Sequence, residues 1–232
     1  MTKLDPLGPV AVLSPHLDDA VFSCGHFMKS HPSITVVTAM AGAPDVLHDG
    51  YNSTTTDKPY APDAVSLRRD EDRAAVEFLG ATPIWLDLLD SDYAQYRPPG
   101  DYVPAISAKI ARALDDARPA SVFAPLGLIH SDHIAVSDAS RALWVGSNYT
   151  WYLYMDLPYG IAHARVVKRR LRVLRRRVDL VELDADGGDH TVKQQAMALY
   201  RSQFEPTRRN YGEAFDASMQ STERYWRVTP RH

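Results

Sequence analysis

The stretch from residue 10 to residue 19 reads Val10-Ala11-Val12-Leu13-Ser14-Pro15-His16-Leu17-Asp18-Asp19. Its first four residues are apolar, which is typical of a strand buried on both faces of a sheet. An imidazole and two carboxylates follow directly, where such a strand emerges into a loop. His16 and Asp19 can hold a divalent metal between them, which leaves Asp18 beside the metal as a free carboxylate. The stretch therefore predicts a buried strand that ends in a site able to activate water.

A second polar cluster, His130-Ser131-Asp132-His133, follows the apolar run 121–125. A catalytic zinc ion needs a third protein ligand and leaves its fourth position to water. We expect His133 to be that ligand because it lies deeper toward the following helix, whereas His130 stays outside the metal shell, near the substrate. The alternative is that Asp18 or Asp19 only caps the next helix. Two such clusters, each after an apolar strand, favour one shared site.

Strand-like and helix-like patterns alternate along the chain. Strands are predicted at 10–13, 34–39, 84–89, 121–124, 151–154 and 178–183, and helices at 20–30, 64–79, 103–117, 134–143 and 191–203. This alternation predicts an α/β fold, a Rossmann-like, mostly parallel sheet with helices on both faces. In such sheets the active site lies at the carboxyl ends of the strands, where both polar clusters fall.

Composition narrows the class of protein. The 232 residues are 45% apolar and 24% charged, which predicts one globular domain over residues 1–232. A net charge of −3 gives no global attraction to nucleic acid or to an anionic membrane. The single cysteine, Cys24, fits a reducing compartment, and neither a signal peptide nor a run of ~18–20 apolar residues is found. We expect a cytoplasmic protein, and the sequence leaves open whether it is a homo-oligomer.

Three further segments have two interpretations. The long loops Gly42–Asp63 and Asp90–Asp101 are either surface connections or a rim over the site. Four tyrosines in them suggest stacking on a sugar or an aromatic group: Tyr51, Tyr60, Tyr93 and Tyr96. The basic run Lys168–Arg177 is interpreted as a solvated helix face rather than a nucleic-acid or membrane patch, because acidic residues follow it directly.

The two polar clusters together resemble those of the LmbE-like, or PIG-L-like, zinc-dependent N-deacetylases. The hallmark of that family is His-x-Asp-Asp after the first strand and His-x-Asp-His about halfway along. The resemblance implies three metal ligands: His16, Asp19 and His133. It also implies that Asp18 is the general base, that His130 stabilises the tetrahedral oxyanion, and that Asp132 orients His130.

The likeness extends over most of the chain, roughly residues 8 to 205. The segment 68–71 resembles the family's Arg-x-x-Glu helix, which implies that Arg68 faces the substrate; the alternative is an ion pair between Arg68 and Glu71 on the helix surface. Segments 156–159 and 200–203 also look like late family segments. The chain departs from many members at Leu17, where they have proline, and at Ala20, where they have glutamate.

The resemblance implies a zinc-dependent hydrolase that removes an N-acetyl, or another N-acyl, group from a small molecule containing an amino sugar. Two alternatives are a non-catalytic metal- or sugar-binding module on the same fold, and a metal hydrolase that acts on an ester. A set of two histidines and one aspartate also accepts Fe²⁺, Co²⁺ or Ni²⁺. The sequence leaves open the acyl group, and whether Asp18 or His130 protonates the leaving amine.

Overall fold

The computed structural model describes residues 2–6, 8–43, 62–96, 101–184 and 190–231. In these ranges one sheet contains β1 (Thr2–Lys3), β2 (Val10–Ser14), β3 (Ile34–Thr38), β4 (Thr82–Trp85), β5 (Ser121–Pro125), β6 (Thr150–Tyr154), β7 (Val178–Asp184) and β8 (Tyr225–Pro230). Their order across the sheet is β1-β7-β8-β6-β5-β2-β3-β4. The pairs that β8 makes with β6 and β7 are antiparallel, and the other strand pairs are parallel. The prediction of a mostly parallel sheet is confirmed.

Helices cover both faces of this sheet, as predicted. They are α1 (Asp19–Ser30), α2 (Pro62–Phe78), α3 (Val103–Ala117), α4 (Ser131–Leu143), α5 (Tyr159–Ala162), α6 (Ala164–Leu174), α7 (His190–Met197), α8 (Arg201–Tyr211) and α9 (Glu213–Ser218), with a 3₁₀ helix at Ser91–Tyr96. Along β2, Ala11 and Leu13 pack toward α3, α4 and α6, while Val10 and Val12 pack toward α1, α2, α7 and α9. This alternation is the reason why the whole strand is apolar.

Some predicted boundaries are wrong. The single helix predicted at 191–203 is two helices, α7 and α8, separated at Tyr200, whose backbone is not helical (φ −81°, ψ 61°). The Tyr200 hydroxyl donates to the buried carboxylate of Asp72 on α2 at 2.8 Å. A tertiary hydrogen bond therefore accompanies the break, and no local sequence signal marks it. The strand expected at 84–89 is β4, and it ends earlier, at Trp85.

The basic run forms most of α6 and the turn after it. The inward residues of α6, Val167, Leu171 and Leu174, are buried. Among the basic side chains of the run, Arg170 donates to the Asp138 carboxylate at 2.8 Å, and the others are exposed. This agrees with a solvated helix face. None of the described helices is long and apolar enough to cross a membrane.

Candidate active site

The first polar cluster folds into a tight turn between β2 and α1. The Ser14 hydroxyl donates to the His16 carbonyl at 2.7 Å and accepts from the Ala20 amide at 3.0 Å, so Ser14 ties the strand end to the helix start. The Asp19 carboxylate accepts from the His16 amide at 2.8 Å. Asp18, at the N-cap position, makes no capping hydrogen bond. Its carboxylate is therefore available to the site, and the capping interpretation of Asp18 is not what the structure shows.

The second cluster meets the first at the carboxyl ends of β2 and β5, which are neighbours in the sheet. The Asp19 Oδ2 atom lies 3.2 Å from His16 Nδ1 and 3.1 Å from His133 Nε2. All three side chains are buried, and each offers one ligand atom within 4.8 Å of the other two. The structure thus brings together the three residues that the sequence suggested as metal ligands.

The state of His133 indicates that this group fits a divalent cation. His133 Nδ1 lies 2.6 Å from Asp156 Oδ1, so that nitrogen carries a proton and donates it to the carboxylate. Its Nε2 is buried and faces Asp19 Oδ2, 3.1 Å away. An imidazole held by a carboxylate, with its other nitrogen turned toward a second ligand, is the usual arrangement at zinc sites. Two nitrogens and one carboxylate oxygen are ligands that zinc accepts.

His16 is also supported by carboxylates. Its Nε2 lies 3.1 Å from Asp132 Oδ2 and 3.4 Å from Asp90 Oδ2, and Asp132 Oδ2 accepts from the Ser91 amide at 2.8 Å. The sequence suggested that Asp132 orients His130. The structure puts the Asp132 carboxylate 3.9 Å from His130 Nδ1, beyond hydrogen-bond distance, while the Asp132 amide donates to that nitrogen at 3.3 Å. The carboxylate therefore contacts His16, and the backbone amide of Asp132 donates to His130.

Charge is concentrated in this cluster. Burial opposes protonation of both His16 and His133, but the neighbouring carboxylates outweigh burial. The carboxylates around His16, Asp90 above all, raise the pKa of His16. Asp19 has the largest such effect on His133 and, with Asp156, raises its pKa to about 9. Burial, together with the charge of Asp19, raises the pKa of Asp18 to about 8. For Asp19, burial acts in the same direction, but the two histidines outweigh it and lower its pKa. An environment that draws protons onto two imidazoles equally favours a bound cation.

Asp18 and His130 line one open pocket together with His16, Asp19 and Arg68. Burial lowers the pKa of the His130 imidazole, and the charges of His16 and His133 lower it further. The positive charge of Arg68 lowers the pKa of Asp18 and so opposes the effect of burial.

The helix that carries Arg68 also carries Glu71, its suggested ion-pair partner. Both Glu71 oxygens accept hydrogen bonds from Ser202, at 2.9 Å from its amide and 2.6 Å from its hydroxyl. Glu71 thus connects α2 to the start of α8. Arg68 lines the pocket, as the family resemblance implied.

Several residues that surround the three candidate ligands were not identified from the sequence. Asp90 and Asp156 hold the two imidazoles, and the Tyr159 ring lies edge-on to His133 with 5.0 Å between ring centroids. Asp156 could have been found, since it follows β6 directly and lies in a family-like segment. Asp90 carries no local signal. Tyr93, which was expected to stack on a substrate, is only 2% exposed.

Parts of the two long loops lie outside the described residues, namely 44–61 and 97–100. Tyr51 and Tyr60 fall there, so their predicted role stays a prediction. At the start of the second loop, Asp90 and Asp92 line the pocket. That end of the loop forms part of the rim, as one of the two interpretations expected.

Solved structures with a similar fold include several deacetylases. The A40926 pseudoaglycone deacetylase has a TM-score of 0.75 at 24% identity, with 97% of this chain and 98% of that chain covered. A deacetylase of teicoplanin biosynthesis, in complex with teicoplanin, has a TM-score of 0.72 at 24% identity, covering 97% and 100%. The N,N'-diacetylchitobiose deacetylase of Pyrococcus horikoshii has a TM-score of 0.55 at 19% identity, covering 96% and 84%. At these identities the likeness shows the fold.

Fold and site together define an α/β protein with a buried two-histidine, one-aspartate cluster at the carboxyl edge of its sheet. The PIG-L family, described as GlcNAc-PI de-N-acetylase, matches residues 11–144, which is more than half of the chain. The chain belongs to the PIG-L family. No curated protein matches it in sequence.

Proposed function

We propose that this protein is a metal-dependent N-deacetylase that removes an acetyl, or another acyl, group from an amino-sugar-containing small molecule. One observation carries the proposal: His16, Asp19 and His133 converge from two strand ends in a family of de-N-acetylases, and Asp18 lines the same pocket as His16 and Asp19. Among the deacetylases of similar fold, one acts by its name on N,N'-diacetylchitobiose and another on A40926 pseudoaglycone, and the first of these supports the substrate class.

Amide hydrolysis needs a nucleophile, a place for negative charge on the carbonyl oxygen, and a proton for the leaving amine. His16, Asp19 and His133 would hold the ion, and a divalent cation supplies Lewis-acid chemistry, which polarises the carbonyl and acidifies water. Zinc is the first expectation, and Fe²⁺, Co²⁺ and Ni²⁺ suit the same ligands.

The protein's own groups supply the remaining steps. Asp18, which makes no capping bond, accepts the proton of the attacking water in its ionised form, which a cation at the neighbouring ligands would favour. His130, at the mouth of the pocket, donates to the oxygen on which charge develops. The leaving nitrogen then needs a proton, which is the one that Asp18 has taken from the water. Asp18 and His130 both line the pocket, so either side chain can deliver a proton to that nitrogen.

The test measures metal content and amine release together. Purified protein, as isolated and after chelation and reloading with Zn²⁺, Co²⁺, Ni²⁺ or Fe²⁺, is given N-acetylglucosamine, N,N'-diacetylchitobiose and an acetate ester of similar size. We expect one metal per chain, and amine release that chelation abolishes and reloading restores. Full activity after exhaustive chelation contradicts the metal role. Ester cleavage without amine release favours the ester hydrolase, and bound metal with neither product favours a binding module.

A further inference from the structure

Helix α8 forms one wall of the pocket. Five of its residues line the pocket: Gln203, Pro206, Thr207, Asn210 and Tyr211. Their spacing of three and four residues places them along one face of the helix. The charged residues of α8 are exposed and do not line the pocket: Arg201, Glu205, Arg208 and Arg209. The face that meets the pocket is therefore uncharged.

Helix α8 turns apolar side chains to the core and polar side chains to the pocket. Phe204 and Tyr211 pack, partly buried, against the apolar core, whereas Gln203, Thr207 and Asn210 line the pocket. The side chains of Thr207 and Asn210 make no hydrogen bond to other described residues, and the Gln203 amide nitrogen donates to Ser202 Oγ at 3.0 Å, leaving its carbonyl oxygen available. These groups offer donors and acceptors to whatever enters the pocket.

The wall is fixed at both ends. At its start, Glu71 accepts from the amide and the hydroxyl of Ser202, so the carboxylate satisfies a backbone N–H of the first helical turn. A negative charge at this end of a helix is also favourable. At its other end, the Tyr211 ring packs edge-on against the Tyr159 ring, with 5.2 Å between the ring centroids. Side chains on a helix held in this way are preorganised for binding.

We propose that the pocket face of α8, formed by Gln203, Thr207 and Asn210, binds the hydroxyl groups of the substrate's sugar ring and selects polyhydroxylated amides over amides without hydroxyls. The proposal rests on the proposed function for the reacting amide. Amide and hydroxyl side chains both donate and accept, as sugar hydroxyls do, and the absence of charge on this face matches a neutral sugar. Sites that hydrogen-bond a substrate discriminate strongly against analogues that lack the bonding group, because their own polar groups are then left unpaired.

The experiment compares two acetamides that differ in hydroxyl groups, N-acetylglucosamine and N-acetylcyclohexylamine. The variant carries Gln203→Met, Thr207→Val and Asn210→Ala, and the matched control is Glu205→Ala, an exposed position on the same helix that does not line the pocket. Dissociation constants are measured calorimetrically in zinc-loaded protein with Asp18→Asn, so that binding is read without turnover. Initial rates of amine release are measured with Asp18 intact.

We expect the triple variant to bind N-acetylglucosamine at least about tenfold more weakly, since each lost hydrogen bond is worth about 2- to 10-fold. The KM of the triple variant for N-acetylglucosamine should rise in parallel, while its dissociation constant for the cyclohexyl amide stays unchanged. Glu205→Ala should match the unsubstituted protein in both dissociation constants and in KM. If the triple variant does not fold, as judged by circular dichroism, Thr207→Val alone carries the test, with a loss of about 2- to 10-fold.

Unchanged sugar binding in the variant overturns the subsite, and so does an equal loss for the cyclohexyl amide. The proposed function is judged separately. The protein with an unsubstituted α8 face could bind N-acetylglucosamine and still release no amine when Asp18 is intact. In that case the proposed deacetylation of this sugar is wrong, and the subsite is judged by the binding measurements alone. If the protein binds and turns over neither compound, both proposals are overturned.

Discussion

Replacing Asp156 with asparagine tests whether the carboxylate behind His133 tunes the proposed metal site. Asp156 Oδ1 lies 2.6 Å from His133 Nδ1, and Asp156 Oδ2 accepts from the Gly127 amide at 3.0 Å, with both side chains 1% exposed. Asparagine keeps one acceptor oxygen and gains an NH₂ group. It must therefore turn a donor toward either the imidazole N–H or the backbone N–H, and it loses the negative charge in both cases.

The magnitude follows from that loss. Substituting the outer partner of a metal-ligating histidine costs about 10- to 100-fold in metal affinity or activity. At about 1.4 kcal/mol per tenfold, this corresponds to about 1.4–2.7 kcal/mol of binding free energy. A further cost of about 1–3 kcal/mol in folding stability is expected because one buried N–H loses its acceptor. Both effects are large enough to measure on one sample.

The assay is a competition titration of zinc or cobalt against a chelator of known affinity, with thermal unfolding recorded in parallel. Asp116→Asn, at an exposed position on α3, is the matched control for the same change of chemistry. We expect its metal affinity to equal that of the unsubstituted protein. A dissociation constant for Asp156→Asn within twofold of that value would refute the reasoning, because His133 would then hold the ion without help from Asp156.

Three further outcomes are expected. Asp18→Asn should retain near-normal metal content but lose most of the turnover; metal analysis that finds an empty site would mean that Asp18 and Asp19 have been assigned the wrong way round. Arg68→Ala should raise KM more than it lowers kcat, because it removes ground-state contacts to the sugar, and unaltered steady-state kinetics would return Arg68 to a surface role. Glu223→Gln leaves the buried Lys193 ammonium, 2.9 Å away, without its carboxylate, so urea unfolding at pH 7 should show a loss of about 3–5 kcal/mol. Burial alone would raise the pKa of Glu223, but Lys193 and other donors lower it, so its stabilisation is present at neutral pH and lost on acidification through that pKa. The gap between the two proteins should therefore narrow at pH 4 and below, and an equal gap at both pH values would contradict this pairing.

Local patterns determined a large part of this protein. The apolar run 10–13 specified a strand buried on both faces, and the polar residues that follow it specified the kind of chemistry. Because carboxyl ends of parallel strands meet at one edge, two clusters more than a hundred residues apart could be assigned to one site. His16, Asp19 and His133 come together for this reason, and the structure places them within ligand distance.

Side-chain partners could not be read in the same way. Periodicity indicates which face of an element is buried, but it does not say which residue of another element lies opposite. The sequence paired Asp132 with His130, its near neighbour, whereas the carboxylate reaches His16 across the β2–β5 junction. Asp90 lies 3.4 Å from the same imidazole nitrogen, and no motif surrounds it in the sequence.

The division of the last helical region shows the same limit. The sequence from 191 to 203 has ordinary helical periodicity. The break between α7 and α8 is accompanied by hydrogen bonds to α2, from Tyr200 to Asp72, 128 residues away, and from Ser202 to Glu71. That break allows α8 to turn a neutral polar face to the pocket. Short-range propensity depends on consecutive residues, so the sequence by itself determined most of the strands and helices and the residues proposed as metal ligands. The carboxylates that hold the ligands, and the helix that lines the pocket, depend on contacts between distant segments, which only the tertiary structure decided.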